Sequence, residues 1–432
     1  MTWEDRQQLI LWISDRLAES LKGKIRLTRT PDTLQFIETR FAQLCDHAKI
    51  HLADGLRKEV YDGVLDELVG YGPIDGLLED DSVTEVMVNG PKLVFVERNG
   101  KVTQANVRFL DDDHVMRVIH KIIAPLGRQI GRDHPMVDAR LPDGSRVNAV
   151  IPPCAIDGPA ITIRKFSKDR LTVEDLIRFG TMTEDVSRFL EACVVSRLNI
   201  IIAGGTGSGK TTLLNVLSNY IPHDERIVTI EDAAELQLAQ THVVRLETAA
   251  PEPDGTGRVD IRDLVINSLR MRPERIIVGE CRGGEALDML QAMNTGHDGS
   301  LTTIHANNPR DTISRLETLV LMAGMDLPLT VVRRQIVSAI NLIVQQARLR
   351  DGSRKITSVT EIQGLEGDTV VLQPVFQFDE QGEQDGKVVG SLKASGIRPK
   401  FVDLLVRRGF DLPPSMFMDP ARASMMPGAR NR

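Results

Sequence analysis

The segment Gly204-Gly205-Thr206-Gly207-Ser208-Gly209-Lys210-Thr211 carries glycines, a lysine and a hydroxyl residue at the spacing G-x-x-x-x-G-K-[ST]. A loop of this kind grips phosphate. Its glycines let successive backbone N–H groups turn inward around phosphate oxygens. The start of a following helix adds about half a positive charge. Lys210 is expected to reach the β- and γ-phosphates, and the Thr211 hydroxyl to ligate Mg²⁺. Gly205, Thr206, Gly207, Ser208, Gly209 and Thr212 complete the cradle for ATP or ADP. The bland alternative, a glycine-rich turn that binds nothing, must account for every fixed position of the pattern at once.

Three polar groups follow in order. Arg226–Ile230 is an apolar strand pattern that runs into Glu231-Asp232-Ala233-Ala234-Glu235. In an open α/β sheet, ligands lie beyond the carboxyl ends of the strands. Acids delivered there can orient water for attack on the γ-phosphorus, or hold a Mg²⁺-bound water. Otherwise they are a solvated acidic helix start. Arg275–Val278 ends in Gly279-Glu280-Cys281-Arg282, the Walker B layout with Glu in place of the usual Asp, which suggests metal contact through water. The sequence does not say which of Arg272, Arg275 and Arg282 pairs with Glu280. His297 and His305 flank a strand with no cysteine partners, a poor metal pair. As neutral imidazoles they suit hydrogen bonds to phosphate, water or the acids; otherwise both are structurally satisfied histidines.

These groups need a parallel sheet to position them. Leu198–Ala203, Arg226–Ile230, Arg275–Val278, Ser300–Ile304 and Ala339–Gln345 read as strands alternating with helices, a doubly wound α/β pattern. Thr212–Tyr220 has the helical spacing expected after a phosphate loop. Ile356–Ile362 and Thr369–Phe378 suggest an antiparallel hairpin, with no strand expected from Gln381 onward. A short helix at Pro399–Arg408 precedes a tail, ASMMPGARNR, of disordered composition. The expected organisation is a helical extension over 1–55, a smaller mixed α/β domain over 56–180, an ATPase domain over 185–395, and a helix with tail over 396–432. In the smaller domain, Val83–Asn89, Leu93–Glu97, Arg146–Ile151 and Ala160–Lys165 read as strands. Tyr61–Leu68 and His114–Leu126 read as helices, and Asn99-Gly100 as a hairpin turn.

At 432 residues the chain exceeds one ordinary core. A net charge of −7 argues against general nucleic-acid affinity, though not against a basic pore in an oligomer. Four scattered cysteines (Cys45, Cys154, Cys193, Cys281) form no C-x-x-C pair, which argues against a zinc knuckle or disulfide framework and fits a reducing cytoplasm. No apolar run approaches the ~18 residues that span a bilayer. Membrane contact is therefore expected to be peripheral or through a partner.

The ordered boxes GGTGSGKT, IEDAAE, GECRGGEA and TGHDGSLTTIHANNP resemble the phosphate loop, aspartate box, Walker B and histidine box of the type II/type IV secretion ATPase superfamily. The resemblance covers about residues 56–350. It is strongest to the Flp/Tad pilus assembly ATPases, through EDAAE rather than EDPxE, the missing C-x-x-C zinc element, ELVGYGPIDGLLEDDSVTEVMVNG and VDARLPDGSRVNAVIPP. It implies a RecA-like, Mg²⁺-dependent ATPase working as a homohexameric motor, cytoplasmic and held at an inner-membrane platform of polytopic proteins. It makes Glu235 the expected catalytic carboxylate, with Glu231 and Asp232 beside it, and Glu280 the Walker B acid. His297 and His305 would couple the site to motion. Arg140, Arg146 and Arg164 match arginines that reach the phosphates from the N-terminal domain. The Ala-Ala in the aspartate box departs from the pilus extension and retraction motors. Type IV secretion or conjugation is the alternative cargo class. Outside the superfamily stand a small-molecule P-loop kinase and a nucleotide-bound scaffold without turnover.

Overall fold

The computed structural model describes all residues except 24, 26, 99, 167–170, 250, 252–254 and 419–432. Asn99 of the expected hairpin turn and the ASMMPGARNR tail lie outside the described residues. The chain divides into two compact units, Met1–Lys168 and Asp169–Arg432.

The first unit begins with three helices: α1 (Trp3–Leu21), α2 (Pro31–His47) and α3 (Asp54–Val69). Thr2 and Asp5 close a capping box on α1, and Thr30 caps α2 ahead of Pro31. Their apolar stripes face one another: Ile10, Ile13, Leu17 and Leu21 pack with Ile37, Phe41, Val60, Val64 and Leu68 in a small core. α1 and α3 approach closely because α3 carries Gly63, where a Cβ would stand 2.6 Å from the Ile10 Cδ1.

A short helix α4 (Asp75–Glu79) leads into six antiparallel strands: β1 (Val83–Asn89), β2 (Leu93–Arg98), β3 (Lys101–Gln104), β4 (Met136–Arg140), β5 (Arg146–Val150) and β6 (Ala160–Arg164), in the order β3-β2-β1-β6-β5-β4. One face buries Val86, Val88, Val94, Val96, Ile161 and Ile163 against Val115, Ile119 and Ile122 of α5 (Asp112–Ile123). Alternate burial along β1, β2 and β6 is the period-2 pattern of a half-covered antiparallel sheet.

The second unit is built on a nine-stranded sheet. Its strands are β7 (Ile200–Gly204), β8 (Ile227–Glu231), β9 (Val243–Glu247), β10 (Arg275–Val278), β11 (Leu301–His305), β12 (Leu342–Arg348), β13 (Arg354–Glu366), β14 (Thr369–Gln384) and β15 (Lys387–Ala394). The order is β15-β14-β13-β12-β7-β11-β10-β8-β9. The run from β12 to β9 is parallel, and β13 to β15 add as antiparallel neighbours. β7, β8 and β10 are buried along their whole length, as strands covered on both faces must be. One apolar core packs α6 (Val173–Arg178), α7 (Glu184–Val195) and α8 (Lys210–Ser218) on one face. A second packs α9 (Ile261–Ser268), α10 (Glu285–Asn294), α11 (Pro309–Leu321) and α12 (Leu329–Ala339) on the other.

Three expectations change here. The last parallel strand starts at Leu342, because Ala339 still belongs to α12. The stretch beyond Gln381 is ordered: β14 continues to Gln384, and β15 returns across Asp385-Gly386, both at positive φ (51° and 72°), a mirror-image two-residue turn. α5 ends at Ile123 and gives way to a tight turn over Ala124–Leu126. The fold also contains β3, β4 and β9, none of which stands out in the sequence.

Candidate functional site

Strand order sets the site. β11 lies between β7 and β10, so the phosphate-loop strand and the acid strand are separated by one strand. Gly204 pairs in register with His305 on one side and Gln346 on the other. Gly279 donates its N–H to Ile230 O at 2.8 Å, and Cys281 donates to Thr303 O at 3.0 Å. The ends of β7, β11, β10 and β8 thus meet at one carboxyl edge.

The loop after β7 enters α8 through Gly209, whose φ of 95° is left-handed and which provides no side-chain cap. The first-turn amides of α8 are therefore open to an anion. Gly205 O accepts from Ser208 Oγ at 2.9 Å and from Lys210 Nζ at 3.1 Å. Lys210 is buried, and that burial lowers its pKa, while the Glu280 carboxylate opposes the shift. Thr206 and Gly207 are exposed at the loop's crest; Gly205, Thr211 and Thr212 are half-buried.

His305 stands between the cation and the acid. Its Nε2 is 3.3 Å from Lys210 Nζ and 2.9 Å from Glu280 Oε1. One nitrogen cannot serve both: the contact with Lys210 has hydrogen-bond geometry, whereas the buried Glu280 Oε1 accepts no hydrogen bond and meets the imidazole only as a close polar neighbour. Burial, then the Lys210 charge, lower the His305 pKa, with Glu280 opposing. Arg282 completes the cluster, donating to Glu280 Oε2 through Nε (2.9 Å) and Nη2 (2.6 Å), and its Nη1 lies 3.1 Å from Asp232 Oδ2. Among the three arginines around β10, Arg282 is the partner of Glu280. Arg275 lies at the strand's other end, buried against Glu225.

The acidic segment is irregular backbone, held by side chains from its neighbours. Glu231 is buried and turned inward; its Oε1 accepts the N–H of Glu235 (2.9 Å) and of Leu236 (3.1 Å). Burial raises the Glu231 pKa, and those two N–H groups pull it back. Asn215 Oδ1 on α8 accepts Gln237 N–H at 2.8 Å, and Glu247 Oε2 on β9 accepts Ala234 N–H at 3.0 Å. Glu235 stays half-buried and Asp232 exposed. β9 and Asn215, which brace the segment, are contributions that sequence reading missed; the signal available was the alternating VVRLE of β9.

The structure brings Lys210, His305, Glu280, Arg282 and Asp232 together, with Glu231 bracing Glu235. It does not bring His297 there. His297 precedes the amino end of β11, and its N–H bonds to Ala292 O at the end of α10. Arg140, Arg146 and Arg164 belong to the first unit. Arg140 pairs with Arg146 across β4 and β5, and Arg146 with Arg164 across β5 and β6, so the three stand in one row. Like charges directly opposite one another are unfavourable without an anion or acid nearby.

A Mg²⁺ ion that keeps several waters needs few protein donors, and it is held largely by nucleotide phosphates. The Thr211 hydroxyl at the start of α8 and the Glu280 carboxylate at the end of β10 are of that type. Glu280 Oε2 is taken by Arg282, while the buried Oε1 accepts no hydrogen bond and is the oxygen left for a water or metal-bound water. Among the described residues there is no group of three His, Cys, Asp or Glu able to hold a metal by itself.

A glycine loop running from a buried parallel strand into a helix, with an acid-ended strand one place removed, defines a P-loop nucleotide-binding protein. The Type II/IV secretion system protein family matches residues 67–377, and the chain belongs to it. Its second unit is accordingly a RecA-like P-loop domain. The chain is 35% identical over 307 residues to a putative conjugal transfer protein of Mycobacterium tuberculosis (strain CDC 1551 / Oshkosh), covering 70% of this chain and 87% of that one. It is 35% identical over 308 residues to the conjugal transfer protein TrbB of Rhizobium radiobacter, covering 70% and 91%. The solved VirB11 ATPase of the Brucella suis type IV secretion system, in complex with sulphate, is 34% identical, with coverage of 67% and 92% and a TM-score of 0.38. The family makes the chain a secretion-type ATPase that binds nucleotide.

Proposed function

We propose that the protein is a Mg²⁺-dependent motor ATPase of a type IV secretion or conjugation machine, working as a homohexamer against inner-membrane platform proteins. One observation carries the catalytic part: Lys210, His305, Glu280 and Arg282 converge at the carboxyl edge beside the open amino end of α8. The relatives' conjugal-transfer and type IV secretion names support the cargo class. Among the described residues no helix is long and apolar enough to cross a membrane, so the reading puts membrane contact in partners.

In this mechanism the loop amides and Lys210 bind the β- and γ-phosphates, and Thr211 and Glu280 would hold Mg²⁺, the latter through water. The bound ion would neutralise charge on the phosphate oxygens. Glu235 orients the attacking water and accepts its proton, while Glu231 keeps the segment bearing Glu235 in place. His305 exchanges its hydrogen bond between Lys210 and Glu280 as the γ-phosphate comes and goes. Arg140, Arg146 and Arg164 supply cationic donors to the γ-phosphate when the first unit closes on the nucleotide, and closure is the power stroke. His297, on the far edge, serves the chemistry less directly than His305.

A second reading, Flp/Tad pilus assembly, keeps the motor and changes the cargo; EDAAE and the missing C-x-x-C element favour it. Lys210→Ala should abolish ATP turnover in the purified protein, because it removes the mobile cation on the β,γ-phosphates. Wild-type rates in that variant would overturn the site. Deleting the gene in its host then separates the cargoes: loss of conjugal or protein transfer supports the first reading, and loss of surface pili with transfer intact supports the second.

A further inference from the structure

The turn joining β12 to β13 carries three arginines, Arg348, Arg350 and Arg354, at the side of the phosphate loop away from the acids. Each does something different. Arg350 pairs with acids of the antiparallel arm, its Nε 3.0 Å from Glu383 Oε2 and its Nη1 2.5 Å from Glu380 Oε1. The Arg348 side chain makes no hydrogen bond or ion pair among the described residues. Arg354 instead reaches the phosphate loop, where its Nε donates to the backbone carbonyl of Gly207 at 3.0 Å. The pairing register sets Arg348 and Arg354 directly opposite one another, an unfavourable placement that a contact outside the hairpin offsets.

The hairpin is a firm base for that reach. Asp351 Oδ1 accepts the Ser353 N–H (2.9 Å) and hydroxyl (2.6 Å), and its Oδ2 accepts the Val388 N–H of β15 (2.9 Å). Led by the Ser353 hydroxyl, these bonds hold the Asp351 carboxyl at about 2, so it stays ionised and the turn stays pinned to β15. Arg354 also lies against the loop: a Cβ on Gly209 would stand 3.1 Å from its Cδ and 3.3 Å from Gln346 Nε2.

A trans peptide plane has its C=O and the following N–H on opposite sides. Holding Gly207 C=O toward Arg354 therefore turns the Ser208 N–H to the opposite side, toward Gly205 O. That N–H donates to Gly205 O at 3.4 Å, the same carbonyl that accepts from Ser208 Oγ and Lys210 Nζ, so the peptide held by Arg354 also closes the Gly205–Ser208 turn of the loop. Gly207 at φ 70° and Gly209 at φ 95° hold left-handed backbone that glycine adopts readily, and an external tether helps keep such a segment in one conformation.

We propose that Arg354 is a positioning residue for the phosphate loop: from the β12–β13 hairpin it holds the Gly207–Ser208 peptide, and with it the turn closed on Gly205 O, in its binding shape before the nucleotide arrives. The inference rests on the ATPase reading above. A phosphate loop grips the bound phosphates alike in ground and transition states, so loosening its turn acts on binding. This separates Arg354 from Glu235 and the row of arginines in the first unit, whose loss acts on kcat.

The test compares full-length variants. Arg354→Ala should raise the KM for MgATP by about tenfold, the scale of losing a charge-assisted hydrogen bond, and leave kcat within about twofold. The rise in Tm produced by saturating ADP should shrink, while the Tm without nucleotide stays put, since Arg354 is exposed. Arg354→Lys, which keeps a donor and the charge, should recover part of the affinity. Arg348→Ala removes an equally near charge without a hydrogen bond and should keep the wild-type KM. An unchanged KM in Arg354→Ala overturns the proposal, and so does an equal rise in Arg348→Ala, which would reduce the effect to the general field of the cations. Failure of the wild-type protein to turn over ATP would instead remove the ATPase reading beneath it.

Discussion

The two ends of β10 carry the same kind of pair and use it in opposite ways. At the amino end Arg275 is fully buried. It bonds Glu225, donates to Val194 O at 2.8 Å and to Gly299 O at 3.2 Å, and has Arg197 3.2 Å from the same glutamate. At the carboxyl end Arg282 is 62% exposed and forks between Glu280 and Asp232, with a histidine and a lysine one contact away. Burial pushes the Arg275 pKa down, whereas the hydrogen bond to Glu280 pushes that of Arg282 up. The first pair is closed, its donors spent on fixed backbone. The second is open, its partners shared and able to exchange. An Arg–Glu pair therefore says little until one knows which edge of the sheet it occupies.

The largest expected contrast is between stability and activity. Arg275→Met should cost about 3 kcal/mol of unfolding free energy, because it leaves Glu225 with only the half-exposed Arg197 and unpairs the Val194 and Gly299 carbonyls. Arg282→Ala should cost no more than about 1 kcal/mol, the range of exposed ion pairs, yet lower turnover. Urea titrations and steady-state rates on both variants check this. Equal urea midpoints for Arg275→Met and wild type would remove the distinction between the edges.

A smaller effect divides the open edge itself. Glu235→Gln should reduce kcat by roughly 10²-fold with ATP binding kept, the scale of losing general-base help. Glu280→Gln should also slow turnover, but with a shifted Mg²⁺ requirement. Superimposable Mg²⁺ titrations of the two would merge their roles, and a nearly active Glu235→Gln would move the base to Glu231 or Glu280.

The smallest effect is in pH. The folded-state pKa of His305 is lowered, so the folded protein takes up its proton later than the unfolded chain does. His305 thus adds no penalty above the ordinary histidine value of about 6.5. Stability is lost as pH falls below that value and levels off beneath the folded pKa. Its side chain is 42% exposed, so the change in Tm should be slight. The same titration should set an acid limb in kcat/KM below pH ~6.5, absent in His305→Gln. A limb that persists in His305→Gln belongs to another group.

Much of the second unit is legible in its sequence because its strands are fully buried and read as unbroken β-branched runs, such as IIIAG and RIIV. What escapes is edge structure. β9, β4 and β15 are half-covered, short or interrupted by glycine, and their pairing is set by partners far away in the chain. In the site, residue types and order are readable, but contacts are not. Nothing in the spacing says that Glu231 turns inward to hold backbone amides, that His297 lies at the edge opposite His305, or that Arg282 rather than Arg275 meets Glu280. Arg354 lies about 150 residues beyond the loop it touches, without any motif of its own.

The position of β7 in the sheet also has a consequence in time. It is apolar on both faces, and its neighbours are β11 and β12, which begin at Leu301 and Leu342. At about 5–20 residues per second of synthesis, the strand that carries the phosphate loop waits on the order of ten seconds for its second neighbour. Until then it is an unpaired β-branched segment, the kind of stretch that adheres to other chains. The strand order that assembles the catalytic edge thus also makes its central strand the most exposed to misassembly while the chain is being made.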